Sequence, residues 1–407
     1  MRTFRQIRPI LAALRSHKTA VILLVLEIAL TMAILGNLVF IVYGTLQRSH
    51  TPTGVAESQI GVIQSIGVIG QTNSGTAISN LAVLRDVPGV QDATFGMPPL
   101  WGRPQNPLFL DALRTRPAAH VYEFFGSQGL GDTLGLHVVS GSDFTDADAP
   151  DVMDVFMGKA IAPIPALLTE SLAKRLYPNG NALGSIFYDG SHSLRVIGLV
   201  DHLRGEITGS TSDDDSLIYE FRVGTQNLGG TYMIRSSNAA QLPQVLRAAA
   251  AALQKANPGH VNNKVFTMAE MRANYFKSDL AAGRMLVAII LILLVVTALG
   301  VSGLASFWVQ QRRRQIGMRR ALGATRRDIL HYFQAENFLI VSAGVLLGVA
   351  FAYALNLFLM RHFELARLPV NYLLAGAVVL WLLGQLAVLG PALRAAAVPP
   401  VVATRSV

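Results

Sequence analysis

QQRRRQIGMRRALGATRRDIL, Gln310–Leu330, carries seven arginines and one acid and stands between two long apolar runs. So dense a cationic stretch suits nucleic acid, anionic lipid or a docking partner, and its surroundings choose among them. Before it lies MLVAIILILLVVTALGVSGLASFWV (Met285–Val309), and after it NFLIVSAGVLLGVAFAYALNLFLM (Asn337–Met360). Each is long enough to cross a hydrocarbon layer of roughly 30 Å at about 1.5 Å per residue. Two more windows qualify: TAVILLVLEIALTMAILGNLVFIVY (Thr19–Tyr43) and YLLAGAVVLWLLGQLAVLGPALR (Tyr372–Arg394), the last with Pro391 bending or closing its end. With 51% hydrophobic and only 14% charged residues among 407, the composition is that of membrane spans plus a soluble part.

Net charge is +9, and its distribution matters more than its total. Arg2, Arg5, Arg8, Arg15 and Lys18 precede the first span with no acid among them, whereas the region from about Thr51 to Asp279 holds most of the Asp and Glu. A nucleic-acid binder carries its basic stripe on the folded domain; here the arginines hug apolar segments, which excludes that class and leaves lipid and protein as partners. The chain has no cysteine, which removes disulfides, zinc–thiolate sites and thiol catalysis and is compatible with an exported domain. The first apolar run is too long for a signal-peptide core and no small-x-small cleavage site follows, so it reads as an uncleaved anchor.

The positive-inside rule puts the basic amino terminus (1–18) and the arginine loop (310–336) in the cytoplasm. Spans then fall at 19–45, 281–309, 337–360 and 372–394, with both termini inside, 395–407 being the second. Residues 46–280 lie outside, as does the short loop 361–371, where Arg361 and Arg367 are partly offset by Glu364. The expected fold class is therefore a four-helix membrane protein with a large α+β extracytoplasmic domain inserted between helices one and two.

Within the loop, IGMRRALG interleaves apolar and basic residues. On a helix Ile316 and Arg320 share one face, while Met318, Ala321 and Leu322 share another. Gly323 is a natural stop. Thr325 and Asp328 have capping-box-like spacing for a second helix running through His331 and Phe333 into the third span. Arg312–Arg314 read as topology determinants.

RQIGMRRALGATRRDI (Arg314–Ile329) resembles the cytoplasmic loop of FtsX-like and MacB-like permeases, membrane subunits of a class of ABC transporters. That resemblance implies a coupling helix, seated in a groove of the ATPase subunit, at Gln315, Ile316, Gly317, Met318, Arg319, Arg320, Ala321, Leu322 and Gly323. Gln315 stands where the family usually has glutamate. The change either weakens a salt bridge to the ATPase or marks the divergent half of a heteromeric pair. The resemblance further implies separate ABC ATPase subunits as partners, holding the ATP and Mg that this chain lacks, and a second permease, identical or paralogous. Force passing from ATPase to exported domain would drive export of a peptide, toxin or drug-like substrate, with a periplasmic adaptor and outer-membrane duct in MacB-like systems. Alternatives are a lipoprotein-releasing (LolC/LolE-like) permease, an FtsX-like subunit signalling to cell-wall hydrolases, and a sensory partner of a histidine kinase. The exported region is large for the second, and four spans are few for the third. The bacterial inner membrane is the implied location.

In the exported region, IGVIQSIGVIG (Ile60–Gly70) reads as a strand, and Ser79–Phe95 as a helix and a strand turned by Pro88–Gly89. TYMIRSS (Thr231–Ser237), LPQVLRAAAAALQKANPG and NKVFTM repeat the plan, with Leu242, Val245, Leu246, Ala249 and Leu253 on one helix face. A βαβ…βαβ arrangement suits a ferredoxin-like module. Ala166–Gly205 resembles the MacB-type periplasmic core domain in its Tyr-Pro-Asn-Gly turn, its Ala-Leu-Gly-Ser turn and the strand RVIGLV. Val138–Asp148 matches that domain's entry segment, with Ser142 in place of the usual arginine. By that resemblance the halves form a Porter subdomain and the insert a Sabre subdomain. Met268, Met271, Tyr275, Ser278, Ala282 and Met285 have the spacing of a stalk seam continuing the second span outward, or of a simple amphipathic connector.

Chemical centres are missing. Gly70–Thr76 has phosphate-loop spacing without the lysine, and Gly129–Gly135 is a turn rather than a dinucleotide loop. Asp143, Asp146, Asp148, Asp151 and Asp154 miss the EF-hand pattern and read as a solvated acidic loop, as does Asp213–Asp215. No HExxH or triad stands out, so neither metal nor cofactor is expected and the chain reads as non-catalytic. In the first span, Glu27 and Asn37 are costly in hydrocarbon. They read as interhelical glue to Asn356, Gln385 or a partner subunit, against a gating surface. Gly300 and Gly303 read as sites of close helix approach.

Overall fold

The computed structural model describes residues 18–67, 77–101, 105–145, 149–157, 162–190, 192–210, 212–223, 230–258, 260–363 and 368–399. Gly70–Thr76, Arg2, Arg5, Arg8, Arg15, Asp146, Asp148, Glu364 and Arg367 lie outside the described residues. The chain divides into two units, Gln47–Ser278 and the remainder, and each boundary falls within a helix.

In chain order, helix α1 (Lys18–His50) leads to strand β1 (Ile60–Gly67), α2 (Ala77–Arg85) and β2 (Val90–Phe95). Next come β3 (Asn106–Leu108), β4 (Ala119–Ser127), α3 (Leu130–Leu134), β5 (Val138–Gly141) and α4 (Val152–Phe156). The inserted region continues with β6 (Ile164–Thr169), α5 (Glu170–Leu176), β7 (Ile186–Tyr188), β8 (Ser193–Val200) and β9 (Ser216–Phe221). The chain returns through β10 (Gly230–Ser236), α6 (Leu242–Ala256), β11 (His260–Thr267) and α7 (Met268–Tyr275). Four more helices follow: α8 (Lys277–Gln311), α9 (Arg313–Ala321), α10 (Arg326–Phe363) and α11 (Val370–Ala396).

The two βαβ halves form one antiparallel sheet in the order β11-β1-β10-β2, the strand order of a ferredoxin-like module. Ile63 faces Tyr232 across β1 and β10, and Ala93 faces Ile234 across β2 and β10. Helices α2 and α6 cover this face; α6 buries Leu242, Val245, Leu246, Ala249 and Leu253, the stripe expected from its spacing. Polar side chains inside this layer are paired: the Asn80 amide donates to the Tyr232 hydroxyl (2.8 Å), and the Asn257 amide donates to Asn80 Oδ1 (2.6 Å). Gly89 turns α2 into β2 at φ +93°, and a Cβ there would stand 2.8 Å from Val245 Cγ2. Glycine is required by both conformation and space.

The insert forms a second, mixed sheet in the order β3-β4-β9-β6-β8-β5, with β7 alongside β8. Strands β4 and β9 run parallel, as do β6 and β8. The expected helix-and-turn run is present: α5 ends at Tyr177, Gly180 and Gly184 take positive φ, and β8 follows. The sheets meet where Gly96 bridges Gly126 and the Thr94 hydroxyl donates to Ser127 O at 2.9 Å.

Two expectations for this unit fail. Asp213–Asp215 is buried, with Asp215 at 0% exposure. Asp213 accepts from Thr208 and Gly209 N–H (both 2.7 Å), Asp214 accepts from Leu203 N–H (2.9 Å), and Asp215 pairs with Ser171 and Arg175. Buried carboxylates persist because donors surround them. The stalk seam is also broken, since α7 ends at buried Phe276 before α8 begins, so Met268 and Met285 lie on different helices.

In the membrane unit, α1, α8, α10 and α11 share one apolar core, including Ile28, Met32, Val301, Val341, Leu373 and Leu380. A Cβ on Gly344 would lie 2.7 Å from Ile28 Cβ, and one on Gly348 would lie 2.5 Å from Met32 Cβ and 2.8 Å from Ala29 O. This small-xxx-small pair lets α10 lie directly on α1. A Cβ on Gly300 would meet the Glu27 carboxylate at 2.5 Å, but one on Gly303 would meet nothing within 4 Å, so Gly303 makes no close approach among the described residues. Pro391 neither ends α11 nor lies at its edge; the helix runs through it to Ala396. At 38 residues α10 extends for about 57 Å, well beyond a hydrocarbon core.

Candidate functional site: the arginine loop and its docking face

One residue, Arg312, separates α8 from α9, and backbone hydrogen bonds from Arg312 N–H to Trp308 O and from Ile316 N–H to Arg312 O (3.0 Å each) carry the chain through the bend. Helix α9 ends where Gly323 takes φ +98°, with its N–H on Arg320 O (3.1 Å) and the Ala324 N–H on Arg319 O (3.0 Å). Only glycine enters that conformation cheaply. The next helix opens on a reciprocal cap: Thr325 N–H donates to Asp328 Oδ2 (2.9 Å), and Asp328 N–H donates to Thr325 Oγ1 (3.2 Å).

The two faces of α9 have opposite surroundings. Ile316 is 4% exposed and Gly317 is buried; Ile316 packs with Val309, Ile329, Phe333, Ala392, Ala395 and Val398. On the same face, the Arg320 guanidinium donates to Ala396 O (3.1 Å) and Val398 O (2.6 Å), tying α9 to the end of α11. These carbonyls lie where a helix end leaves acceptors unpaired. The opposite face is open: Met318 is 57% and Leu322 84% exposed, and Gln315, Arg319 and Ala321 are exposed as well. Arg319 also stacks over the Tyr332 ring, 4.8 Å from its centroid. Burying Ile316 stabilises the seat by roughly 2 kcal/mol, while Met318 and Leu322 contribute little to folding.

Arg312 does more than set topology. Its guanidinium donates to both oxygens of Glu336 on α10 (2.9 and 3.0 Å), and the pair is nearly buried. One guanidinium nitrogen, Nη1, reaches both oxygens, and such a charge-assisted pair ties the bend to α10; deleting one partner strands the other at a cost of about 3–5 kcal/mol. The signal available in the sequence was the lone Glu336 at the edge of an otherwise apolar span.

Asn37 and Glu27 part company. The Asn37 amide donates to Ala33 O (2.9 Å) within α1 and to Ala352 O (3.2 Å) on α10, so it does join helices. Asn356 and Gln385 were the expected partners within the chain, yet among the described residues neither pairs with Glu27. Asn356 accepts from Leu368 N–H (3.0 Å) and Gln385 donates to Gln334 O (3.4 Å), while the Glu27 carboxylate lies against Gly300. Helices α1 and α10 run parallel, with Gly344 beside Ile28, Gly348 beside Met32 and Ala352 beside Asn37, so Asn356 lies beyond the level of Asn37, ten residues along α1 from Glu27. Thr31 and Thr297 share a hydroxyl hydrogen bond at 2.9 Å between α1 and α8.

In the other unit, two carboxylates stand out. Glu220 is buried and accepts from the N–H groups of Leu130 (2.7 Å) and Gly131 (3.4 Å). Burial pushes its carboxyl up to about 7, against those hydrogen bonds and with Asp143 adding to the rise. Burial likewise pushes the Glu57 carboxyl up, but hydrogen bonds from Arg272 and Thr53 outweigh it and hold it below the usual range. Arg272 grips Glu57 at 2.7 and 2.6 Å and also donates to Ser49 O (3.0 Å) and Thr51 O (2.8 Å) at the end of α1. Among the described residues no group of three His, Asp or Glu side chains converges as a metal site.

Residues 287–400 match the family model described as FtsX-like permease C-terminal. The chain is 26% identical over 205 residues to the macrolide export ATP-binding/permease protein MacB of Bdellovibrio bacteriovorus, covering 48% of this chain and 31% of that protein. It is 26% identical over 232 residues to the uncharacterized ABC transporter permease YknZ of Bacillus subtilis, covering 56% and 55%. Thus it spans about a third to just over half of the curated relatives it matches. The periplasmic region of MacB from Actinobacillus actinomycetemcomitans aligns at a TM-score of 0.35 and 14% identity, over 56% of this chain and 97% of that one. The fold rests on the strand order given above and not on that alignment.

Proposed function

We propose that this chain is a MacB/FtsX-like ABC transporter permease and works as the force-transmitting subunit for ATPase subunits that dock on α9. The carrying observation is the division of α9 into a clamped face and a bare one. Ile316 and Arg320 fasten the helix to the ends of α10 and α11, so that displacing α9 displaces those spans. Met318 and Leu322 offer an apolar contact rimmed by arginines, which suits a groove on a nucleotide-binding subunit. A stiff connection favours the same reading: the Arg312–Glu336 pair and the cap at Thr325–Asp328 leave little slack between α8, α9 and α10. The positive-inside distribution supports a cytoplasmic α9, both termini inside, and an exported Gln47–Ser278 unit in an inner membrane.

The hydrolysis itself belongs, in this proposal, to the partner, and a second permease completes the assembly. With a relative named for macrolide export, the cargo class is a peptide, toxin or drug-like compound driven on from the exported side, where an adaptor and duct would receive it. The experiment uses the absence of native cysteine: Arg319→Cys, exposed on α9, is labelled with a membrane-impermeant maleimide in intact and inverted vesicles. Labelling only when the cytoplasmic face is accessible, together with ATP hydrolysis that requires an added nucleotide-binding subunit, is expected. Labelling from the exported side, or ATP turnover by the purified chain alone, overturns the proposal.

A further inference from the structure

The arginines of the loop divide by what they touch. Arg312 is spent on Glu336, Arg320 on the carbonyls of Ala396 and Val398, and Arg319 stacks on Tyr332. Among the described residues no ion pair uses Arg313, Arg314, Arg326 or Arg327, nor Arg394 in the last turn of α11, and of these Arg313 and Arg394 come together. Arg313 and Arg394 line one cavity of about 270 Å³, together with Ser306 and Gln310 as neutral polar groups and Val309 and Pro391 as apolar walls. Among the described residues no carboxylate lines it.

We infer that this cavity binds the phosphate headgroup of an anionic phospholipid. Depth is the first argument. The apolar stretch Met285–Val309 covers about 37 Å as a helix, so Gln310 and Arg313 emerge at headgroup level where that stretch ends. Charge is the second. The carboxyl ends of α8 and α11 present partial negative charge, which would repel a phosphate; two unpaired guanidinium groups reverse the sign and supply donors suited to phosphate oxygens. The mixed lining is the third, because a glycerophosphate needs cationic and polar groups around its head and apolar walls at its neck, as basic pockets between spans provide. The site lies beside α9 rather than on its bare face, and it needs only the span layout, so the ATPase reading can fail without affecting it.

The test titrates the full-length chain in detergent with phosphatidylglycerol and counts bound lipid by native mass spectrometry, with phosphatidylcholine and inorganic phosphate as separate arms. One saturable phosphatidylglycerol is expected per chain. Arg313→Ala with Arg394→Ala should weaken it about thirtyfold, the effect of two basic side chains at a membrane surface. Arg314→Ala, outside the cavity, should leave it unchanged. Ser306→Phe fills the cavity while keeping both arginines and should also weaken binding, which guards against misfolding of the double variant. Equal binding of the neutral lipid, equal loss with Arg314→Ala, or unchanged binding in both cavity variants overturns the inference. Displacement by inorganic phosphate at the lipid's own concentration shows a free-anion site and overturns it too.

Discussion

Replacing Met318 and Leu322 together by aspartate separates coupling from folding. Both side chains are more than half exposed, so the folded chain loses little: surface changes of this kind fall within about 0.5 kcal/mol each, plus a few tenths for the poorer helix propensity of aspartate. New carboxylates beside Arg314 and Arg319 even relieve like-charge repulsion. If the two side chains enter a groove on a nucleotide-binding subunit, each contributes about 1.5–3 kcal/mol of burial there. Losing both removes at least about 3 kcal/mol, and burying carboxylates adds a desolvation cost; affinity should fall at least about a hundredfold. The assay pairs co-purification of the ATPase with permease-stimulated ATP hydrolysis, with thermal melting of the chain as the folding control. Ile316→Asp is the contrasting variant, since it puts a charge into the buried seat and should lower the melting temperature itself. A double variant that assembles normally and supports normal stimulated hydrolysis refutes the assignment of α9.

Glu220 titrates against stability. Its folded carboxyl is raised from 4.5 to about 7, so the stability it allows is fully present below pH 4.5 and is lost as pH rises through about 7, a change of about 3 kcal/mol; Glu220→Gln should therefore flatten the melting-temperature profile between pH 5 and pH 8, and an unchanged slope would rule the cause out. Glu57 has the opposite sign: its depressed carboxyl stabilises above the ordinary carboxylate range and stops doing so as pH falls through the lowered value. Arg272→Ala should accordingly cost about 2–4 kcal/mol at pH 7 and much less in acid, read by denaturant titration at both pH values. In the membrane unit Gly348→Leu should force α10 off α1, costing about 1–3 kcal/mol or more, whereas Gly303→Leu, with open space around it, should be nearly neutral; equal effects in a detergent-denaturation series would contradict the packing.

Much of the architecture was written in local patterns. Four apolar runs of span length, and arginines placed on alternate sides of them, needed no tertiary information, because a bilayer acts on each segment separately. The ferredoxin-like halves were legible for a related reason: α6 shows its apolar stripe at helical spacing, and the turn at Pro88–Gly89 carries its own conformational signature. The loop was legible to the level of its faces, since Ile316 and Arg320 on one side and Met318 and Leu322 on the other follow from helical geometry alone.

What lay beyond reach were the pairings between residues far apart in the chain. Asp213–Asp215 looks solvated as three successive acids, yet Ser171 and Arg175, some forty residues earlier, help to hold it inside. Arg312 looks like one more topology arginine until Glu336 on α10 neutralises it. Segment identity comes from period and polarity, which each stretch carries by itself. Partnership depends on how the helices lie beside one another and at what level they meet, and only the packed chain decides that: the same packing set Asn37 against Ala352, and left Arg313 and Arg394 lining one cavity with no carboxylate among its described lining residues.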